Sequence, residues 1–398
     1  MARTSLGLEE LVEHWTLLQF ALGVSDELVL AAPHGPMKNT CRRRNRRFGR
    51  TPVVNPSVTP AIELPLPTRQ HPHASQIEAH TRAWAAQFGL VRSEACAKAL
   101  ARSRFGEFGA YTYPTAPLPE AQLVADWLAW LFLIDDQYEE GAYGTGSRWS
   151  DVTAAVRGVL EPGQTAGPLA DAPLIRALAD ISHRLDRLVT PAWKTRFTRH
   201  FLATMNAALH EIQLRDAGTP PPLSDYIALR RDSGAIIPSF DLIEVCAHLE
   251  LPEAAYGSSA YQEITVAGTD IVAWTNDLYS VDKEAACGIV TNLVLVLQHE
   301  RHLDRQQALA TARMLINDRI RDFLAAERLL TDATSRIRPD DTPREQIAQC
   351  AQGVRDWVAG SNQWHADGTD RYDQPPPSAP APLIEDLLAP AIHTTEQR

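Results

Sequence analysis

The stretch Trp127-Leu-Ala-Trp130-Leu-Phe132-Leu-Ile-Asp135-Asp136-Gln-Tyr-Glu139-Glu140 is apolar almost all round a helical circumference and then ends in four carboxylates. A helix apolar on every side is a buried one, so this segment predicts a helix of the core. Residues four apart share a helical face, which sets Asp135 beside Glu139 and Asp136 beside Glu140. Acids crowded at the end of a buried helix repel one another and are costly to desolvate unless positive charge sits among them. Hard-oxygen clusters of this type suit Mg²⁺, which takes one or two protein carboxylates and keeps the rest of its shell for water and substrate phosphates. Alone the string is weak evidence, because a helix can also simply end in solvated acids.

A second cluster changes that weighing: Trp274-Thr-Asn276-Asp277-Leu-Tyr-Ser280-Val-Asp-Lys283-Glu284. Asn276, Ser280 and Glu284 follow i, i+4, i+8 spacing, which stacks an amide oxygen, a hydroxyl and a carboxylate along one helical stripe roughly 12 Å long. These graded oxygen donors on one face, with Lys283 beside them, form a second metal platform.

Outward from these two segments the pattern is helical throughout. From Ser75 to Asp367 apolar residues recur three and four apart between Pro and Gly clusters, giving eleven candidate helices. They include Leu223 to Ile237, Ser239 to Leu249, a continuous Glu253 to Glu284, and Pro343 to Asp367. Ser75 with Glu78 reads as a capping box opening the first. No run alternates with period two, so the expected fold class is all-α. Residues 1–58 read as an N-terminal extension whose Arg-rich run Arg42 to Arg50 is a solvated tail; deleting residues 1–50 is expected to leave the chemistry in place. Residues 59–373 read as the catalytic domain, and residues 374–398 as a tail with a linker-like stretch from Pro375 to Pro382.

Composition bounds the partners. The chain of 398 residues is 44% hydrophobic with nine Trp, enough for a large core and a ring-lined interior. Its net charge of −11 leaves the body acidic, since residues 1–50 hold eight Lys/Arg against five Asp/Glu. An acidic body argues against nucleic acid as the main partner, though not against a small phosphorylated substrate met by metal ions and local cations. Cys41, Cys96, Cys246, Cys287 and Cys350 have neither CxxC nor zinc-type spacing and read as reduced thiols. Neither a signal peptide nor a spanning segment fits, so the expectation is a cytoplasmic enzyme without stable membrane insertion.

Asn-Asp-x-x-Ser-x-x-Lys-Glu about 140 residues after Asp-Asp-x-x-Glu resembles the paired metal motifs of bacterial class I terpene synthases. Tyr226-Ile-Ala-Leu-Arg230-Arg231-Asp232-Ser233-Gly234 resembles the family's diphosphate-sensing arginine with its linker and effector residues. Arg371-Tyr372 is similar to its C-terminal Arg-Tyr pair, and Pro65 to His73 with Trp84 to Val91 to its opening segment. The resemblance covers about residues 60–373. It implies a class I terpenoid synthase bundle enclosing an active-site cavity, three Mg²⁺ ions, and an isoprenyl diphosphate, foremost farnesyl diphosphate, cyclised to a sesquiterpene. A homodimer is left open.

The implied metal ligands are Asp135, Asn276, Ser280, Glu284 and one of Glu139 or Glu140, since the first motif fits both DDxxE and DDxxxE. Arg230, Asn276, Lys283, Arg371 and Tyr372 would hold the diphosphate; Arg231 stays ambiguous. Gly234 and Pro238 break an apolar helix and leave carbonyls unpaired, which can stabilise developing positive charge. Phe132 leads the candidates for cavity lining, with Trp127, Trp274 and Trp364, then Trp130 and Phe240; Phe132 and Trp130 are expected to limit its depth. The rival readings are a geranyl or geranylgeranyl diphosphate cyclase and a catalytically silent helical interaction protein. A chain-elongating prenyltransferase would need a second aspartate-rich motif, and a class II cyclase an Asp-x-Asp-Asp string; neither occurs here.

Overall fold

Proline and glycine punctuation divides the chain into helices, and no strand occurs among the described residues. The structure is a computed structural model that describes residues 62–161, 163–335, 342–372 and 385–389. The whole extension, residues 1–58, lies outside them, including Cys41 and the Arg-rich run. The helices are α1 (Ala74–Gln87), α2 (Glu94–Ser103), α3 (Phe105–Thr112), α4 (Leu118–Glu139), α5 (Gly146–Leu160), α6 (Pro173–Leu185), α7 (Pro191–Ala217), α8 (Leu223–Ser233), α9 (Ile236–Cys246), α10 (Glu253–Tyr256), α11 (Ser259–Ala286), α12 (Leu293–Arg301), α13 (Arg305–Ser335) and α14 (Thr342–Gln363). Among the described residues no helix is long and apolar enough to cross a membrane.

Two long helices carry the acidic motifs and are held in place by their neighbours. α4 packs on α1, α3 and α6, and α11 packs on α13 and α14. Trp127 and Trp130 are fully buried on α4, and burying a ring of that size contributes roughly 4–6 kcal/mol at about 25 cal/mol per Å². α3 comes close to α1 and α4 because it presents glycines. A Cβ on Gly106 would lie 2.3 Å from the Glu78 Cα, and one on Gly109 would lie 2.9 Å from the Ala125 Cβ.

Several boundaries differ from the sequence expectation, each for a local reason. α2 and α3 were not foreseen, because they are short and hinge on Arg104, whose φ of 51° is left-handed. Ser75 and Glu78 do not form a capping box: α1 starts behind His73 with no side-chain cap. Glu78 instead accepts from the Gly106 and Glu107 N–H groups at 2.8 and 3.3 Å, capping the start of α3. The expected Glu253 to Glu284 helix is two, because the chain turns at Gly257-Ser258 before α11. α14 ends at Gln363 and widens into a π turn over Trp364–Gly368.

The linker-like stretch Pro375 to Pro382 lies outside the described residues, whereas residues 385–389 of the C-terminal tail are packed. Leu387 and Leu388 are buried. The Gln137 carboxamide donates to the Glu385 carbonyl at 3.2 Å and accepts from the Leu387 N–H at 3.1 Å, while the Leu174 N–H reaches the Leu387 carbonyl at 3.2 Å. This segment is thereby fastened to α4 one residue beyond Asp136.

Candidate active site

The acidic end of α4 faces the Asn276 to Glu284 stripe of α11, with cations between them. Lys283 Nζ lies 3.2 Å from Asp136 Oδ1, 2.9 Å from Glu139 Oε2 and 2.9 Å from Glu140 Oε1. Arg371 Nη2 lies 2.6 Å from Asp136 Oδ1. Burial alone would raise the Asp136 carboxyl, but Arg371 and Lys283 outweigh it and hold it below the ordinary value. Burial likewise opposes charge on Lys283, yet Glu139 and Asp136 push its ammonium well above the usual range. Asp136, Glu139 and Glu140 bring oxygens within 4.8 Å of one another; the Lys283 ammonium already bridges all three. Of the two candidate glutamates, Glu139 lines the interior cavity beside Asp135, whereas Glu140 is exposed.

Across the mouth, Asn276 is read at both ends. Its Oδ1 accepts from Arg230 Nη2 at 2.9 Å, and its Nδ2 lies 3.1 Å from His365 Nε2 and 3.0 Å from the Tyr372 hydroxyl. The neighbouring Asp277 turns the other way. It is fully buried, pairs with Arg230 Nε at 3.0 Å, takes the Tyr226 hydroxyl, and accepts from the Leu293 N–H at 2.6 Å, which also fixes the start of α12. Arg231 is excluded from the mouth: Asp270 grips it with two hydrogen bonds of 2.7 and 2.8 Å, and Arg319 shares the same carboxylate. Ser280 donates to the Asn276 carbonyl at 2.9 Å, leaving its oxygen lone pairs on the stripe.

The remaining carboxylates are under electrostatic load. Burial, then Glu139, push Asp135 well above the ordinary range. Burial, then Glu139 and Asp277, raise Glu284 from 4.5 to about 7. Glu211 on α7 is raised by burial despite Arg230 and the Ser233 hydroxyl, which donates to it at 2.8 Å. Divalent cations fit this mouth, because they would relieve the burial and the repulsion from Glu139 that raise Asp135 and Glu284. An anion fits as well: the buried Arg371 Nε has no hydrogen-bond partner among the described residues, and a guanidinium N–H of that kind suits a phosphate oxygen.

Beneath the mouth lies a cavity lined by the rings of Phe108, Phe132, Tyr138, Trp149, Phe201 and Trp357. Phe132 is on that wall, but its ring centre is 5.1 Å from the Arg371 guanidinium, so it stands near the mouth rather than limiting the depth. The other expected lining rings belong to the core. Trp127 stacks on Trp130 and donates to Ser239 Oγ at 3.1 Å; Trp130 donates to the Leu174 carbonyl at 2.8 Å. Trp364 stacks on Phe108 and donates to the Ser103 carbonyl at 3.1 Å, and Trp274 and Phe240 are buried off the cavity wall.

Gly234 and Ser233 reach the cavity at the break between α8 and α9. Ala235 takes a left-handed φ of 54° there. Pro238 has no N–H, so the Gly234 carbonyl lacks the i+4 donor it would have in a continuous helix. Sequence reasoning did not name Asp136, Asp277, Tyr138, Glu211 or His365 as site residues. The two aspartates sit next to named ligands and were within reach of it; Glu211 and His365 are brought in by tertiary packing alone. His365 is fully enclosed, and burial takes its imidazole down to about 4, with partial compensation from its bond to the Ser361 carbonyl.

Opposed oxygen ligands and buried cations above an aromatic cavity define an all-α, metal-dependent enzyme for a substrate with an anionic head and an apolar body. A family model described as terpene synthase family 2, C-terminal metal binding, matches residues 126–322. The chain is 36% identical over 302 residues to (−)-delta-cadinene synthase of Streptomyces clavuligerus, covering 76% of this chain and 91% of that one. It is 33% identical over 304 residues to (+)-T-muurolol synthase ((2E,6E)-farnesyl diphosphate cyclizing) of Roseiflexus castenholzii, covering 76% and 90%. Wild-type cucumene synthase superposes with a TM-score of 0.67 at 28% identity, covering 76% of this chain and 99% of that chain. The chain belongs to the bacterial class I terpene synthases: it is a terpene cyclase that uses divalent metal and binds an isoprenyl diphosphate.

Proposed function

We propose that the enzyme uses three Mg²⁺ ions to ionise farnesyl diphosphate and cyclises it in the cytoplasm to a sesquiterpene, within a catalytic domain spanning residues 59–373. The observation that carries this reading is the facing of two ligand sets across one mouth, Asp135 with Glu139 on α4 and Asn276, Ser280 and Glu284 on α11, directly above the ring-lined cavity. These residues would hold the ions, whose charge stabilises the departing diphosphate. Arg230, Lys283, Arg371 and Tyr372 would donate to the diphosphate oxygens and orient the head group. The Gly234 carbonyl, free of an i+4 donor, would face the allylic positive charge. Rings such as Phe132 and Phe108 stabilise a carbocation without offering a nucleophile, and the bonds from Arg371 and Lys283 to α4 help keep water out.

The fifteen-carbon chain is favoured because the Roseiflexus relative is named for cyclising it. A ten-carbon chain buries five fewer carbons and would lose up to about 4 kcal/mol at roughly 0.8 kcal/mol each. The test is diphosphate release and product mass spectra from ten-, fifteen- and twenty-carbon substrates with Mg²⁺. Cyclic product should form fastest from farnesyl diphosphate, and Asn276→Ala should remove most of it while the fold persists. Faster cyclisation of the twenty-carbon substrate would overturn the chain-length assignment, and near wild-type diphosphate release by Asn276→Ala would overturn the ligand assignment.

A further inference from the structure

We infer that His365 is a positioning residue that fixes which end of the Asn276 carboxamide faces the metal ions. The inference rests on Asn276 as a metal ligand. A carboxamide ligates through oxygen, and its oxygen and nitrogen ends are nearly the same size, so a half-turn of the group would present N–H groups to a cation. Arg230 Nη2, 2.9 Å from Oδ1, can only donate and so demands oxygen at that end. At the other end, His365 Nδ1 lies 2.8 Å from the Ser361 carbonyl, which can only accept, so Nδ1 carries the hydrogen. The neutral ring then offers a bare lone pair at Nε2, 3.1 Å from Asn276 Nδ2, and demands N–H there. The Tyr372 hydroxyl, 3.0 Å from the same nitrogen, can donate or accept and does not discriminate. Once Arg230 turns to the diphosphate, His365 is the partner that still tells the two ends apart.

The chain builds a rigid seat for this imidazole. α14 widens into its π turn at Trp364–Gly368, a deviation that recurs at functional sites. Trp364 is pinned by Phe108 at 4.4 Å between ring centres and by the Ser103 carbonyl. His365 lies between Tyr279, 5.3 Å away, and Tyr372, 5.7 Å away and within 12° of parallel.

The experiment compares His365→Phe, which keeps a ring in the stack without an acceptor, with His365→Gln, whose carbonyl reaches the place of Nε2. The readout is Mn²⁺ bound in the presence of inorganic diphosphate, followed by electron paramagnetic resonance, with the melting temperature in EDTA as the folding control. His365→Phe should need about tenfold more Mn²⁺ for half-saturation, as expected for loss of one orienting hydrogen bond, and His365→Gln should recover most of it. In an Asn276→Asp background, where the two oxygens are equivalent, His365→Phe should add less than about twofold. Unchanged binding by His365→Phe, glutamine no better than phenylalanine, or the full penalty in the Asn276→Asp background would each overturn the inference. Should His365→Phe fail to fold, His365→Leu takes its place in the same comparison. A wild-type enzyme that binds no Mn²⁺ with diphosphate would overturn the metal reading and this inference together; normal wild-type binding with no effect at His365 would remove this inference alone.

Discussion

Replacing Glu284 with glutamine should push fold stability and metal affinity in opposite directions. Burial and the neighbouring Glu139 and Asp277 raise the Glu284 carboxyl from 4.5 to about 7, which corresponds to about 3 kcal/mol against the ionised form. The folded protein holds this proton more tightly than the unfolded chain does. Its contribution is therefore fully present below about pH 4.5 and is lost as pH rises through about 7. With metal chelated by EDTA, Glu284→Gln should raise the unfolding free energy by up to about 3 kcal/mol at pH 8 and by little at pH 4.5. The amide oxygen can still accept from Asn292 Nδ2, which lies 2.9 Å from the present carboxylate. Urea denaturation followed by tryptophan fluorescence reads the difference. Meanwhile the ions lose a charged ligand, so half-saturating Mg²⁺ should rise by roughly tenfold to a hundredfold at pH 8. In the wild type that Mg²⁺ requirement should also fall with rising pH up to about 7, by at most about tenfold per pH unit, because the ion that Glu284 would hold displaces its one proton. The variant should show a shallower slope, because Asp135, raised in the same way, still exchanges its proton. A variant less stable than wild type in EDTA at pH 8, or one whose pH slope is as steep as the wild type's, would refute the picture of an uncompensated buried carboxylate awaiting a cation.

Phe132→Leu should change the ratio of cyclic products, because its ring lines the cavity, whereas Trp127→Phe should lower stability and leave the ratio alone; gas chromatography of extracts against melting temperature separates the two. Gly360→Ala would place a Cβ 2.4 Å from the Tyr111 carbonyl oxygen, so backbone must move and a loss of about 2 kcal/mol or more is expected on denaturation. Removing residues 385–398 exposes Gln137 and discards the buried Leu387 and Leu388, which should cost about 2–5 kcal/mol in stability, visible as a lower melting temperature.

The stripe of oxygen donors was legible because its information is local: helical period alone puts Asn276, Ser280 and Glu284 on one face, and all three lie on the one continuous helix α11. The helix break was legible for the same reason, through Gly234 and Pro238, although the turn itself is taken by Ala235. Ring orientation was not. α4 is apolar all round, so its sequence carries no phase to say which of Trp127, Trp130 and Phe132 faces the cavity; that depends on indole partners contributed by Ser239 and Leu174 on other helices. His365 was hidden by the π turn, which shifts the helical phase where extrapolation from α14 would be trusted. Glu211 reads as an ordinary acid on a long helix, and only the approach of Tyr138 and Ser233 makes it part of the site.

The two acidic motifs share a division of labour that spacing alone conceals. In each, one residue faces the cavity and its immediate neighbour is committed to a cation: Asp135 beside Asp136, Asn276 beside Asp277. Arg230, Lys283 and Arg371 are all largely withdrawn from solvent, where burial opposes their charge, and each is kept charged by carboxylates across a few ångströms. Asp136 serves Lys283 and Arg371 together, and Asp277 serves Arg230 while also fixing the start of α12. A buried lysine without such partners would lose its proton near neutral pH and could no longer meet a diphosphate as an ammonium. On the proposed roles, the paired motifs thus install two things at one mouth, oxygen ligands for metal ions and permanently charged donors for the anion those ions accompany. Because ligand and counterion are sequence neighbours on rigid helices, the geometry of one is tied to the geometry of the other.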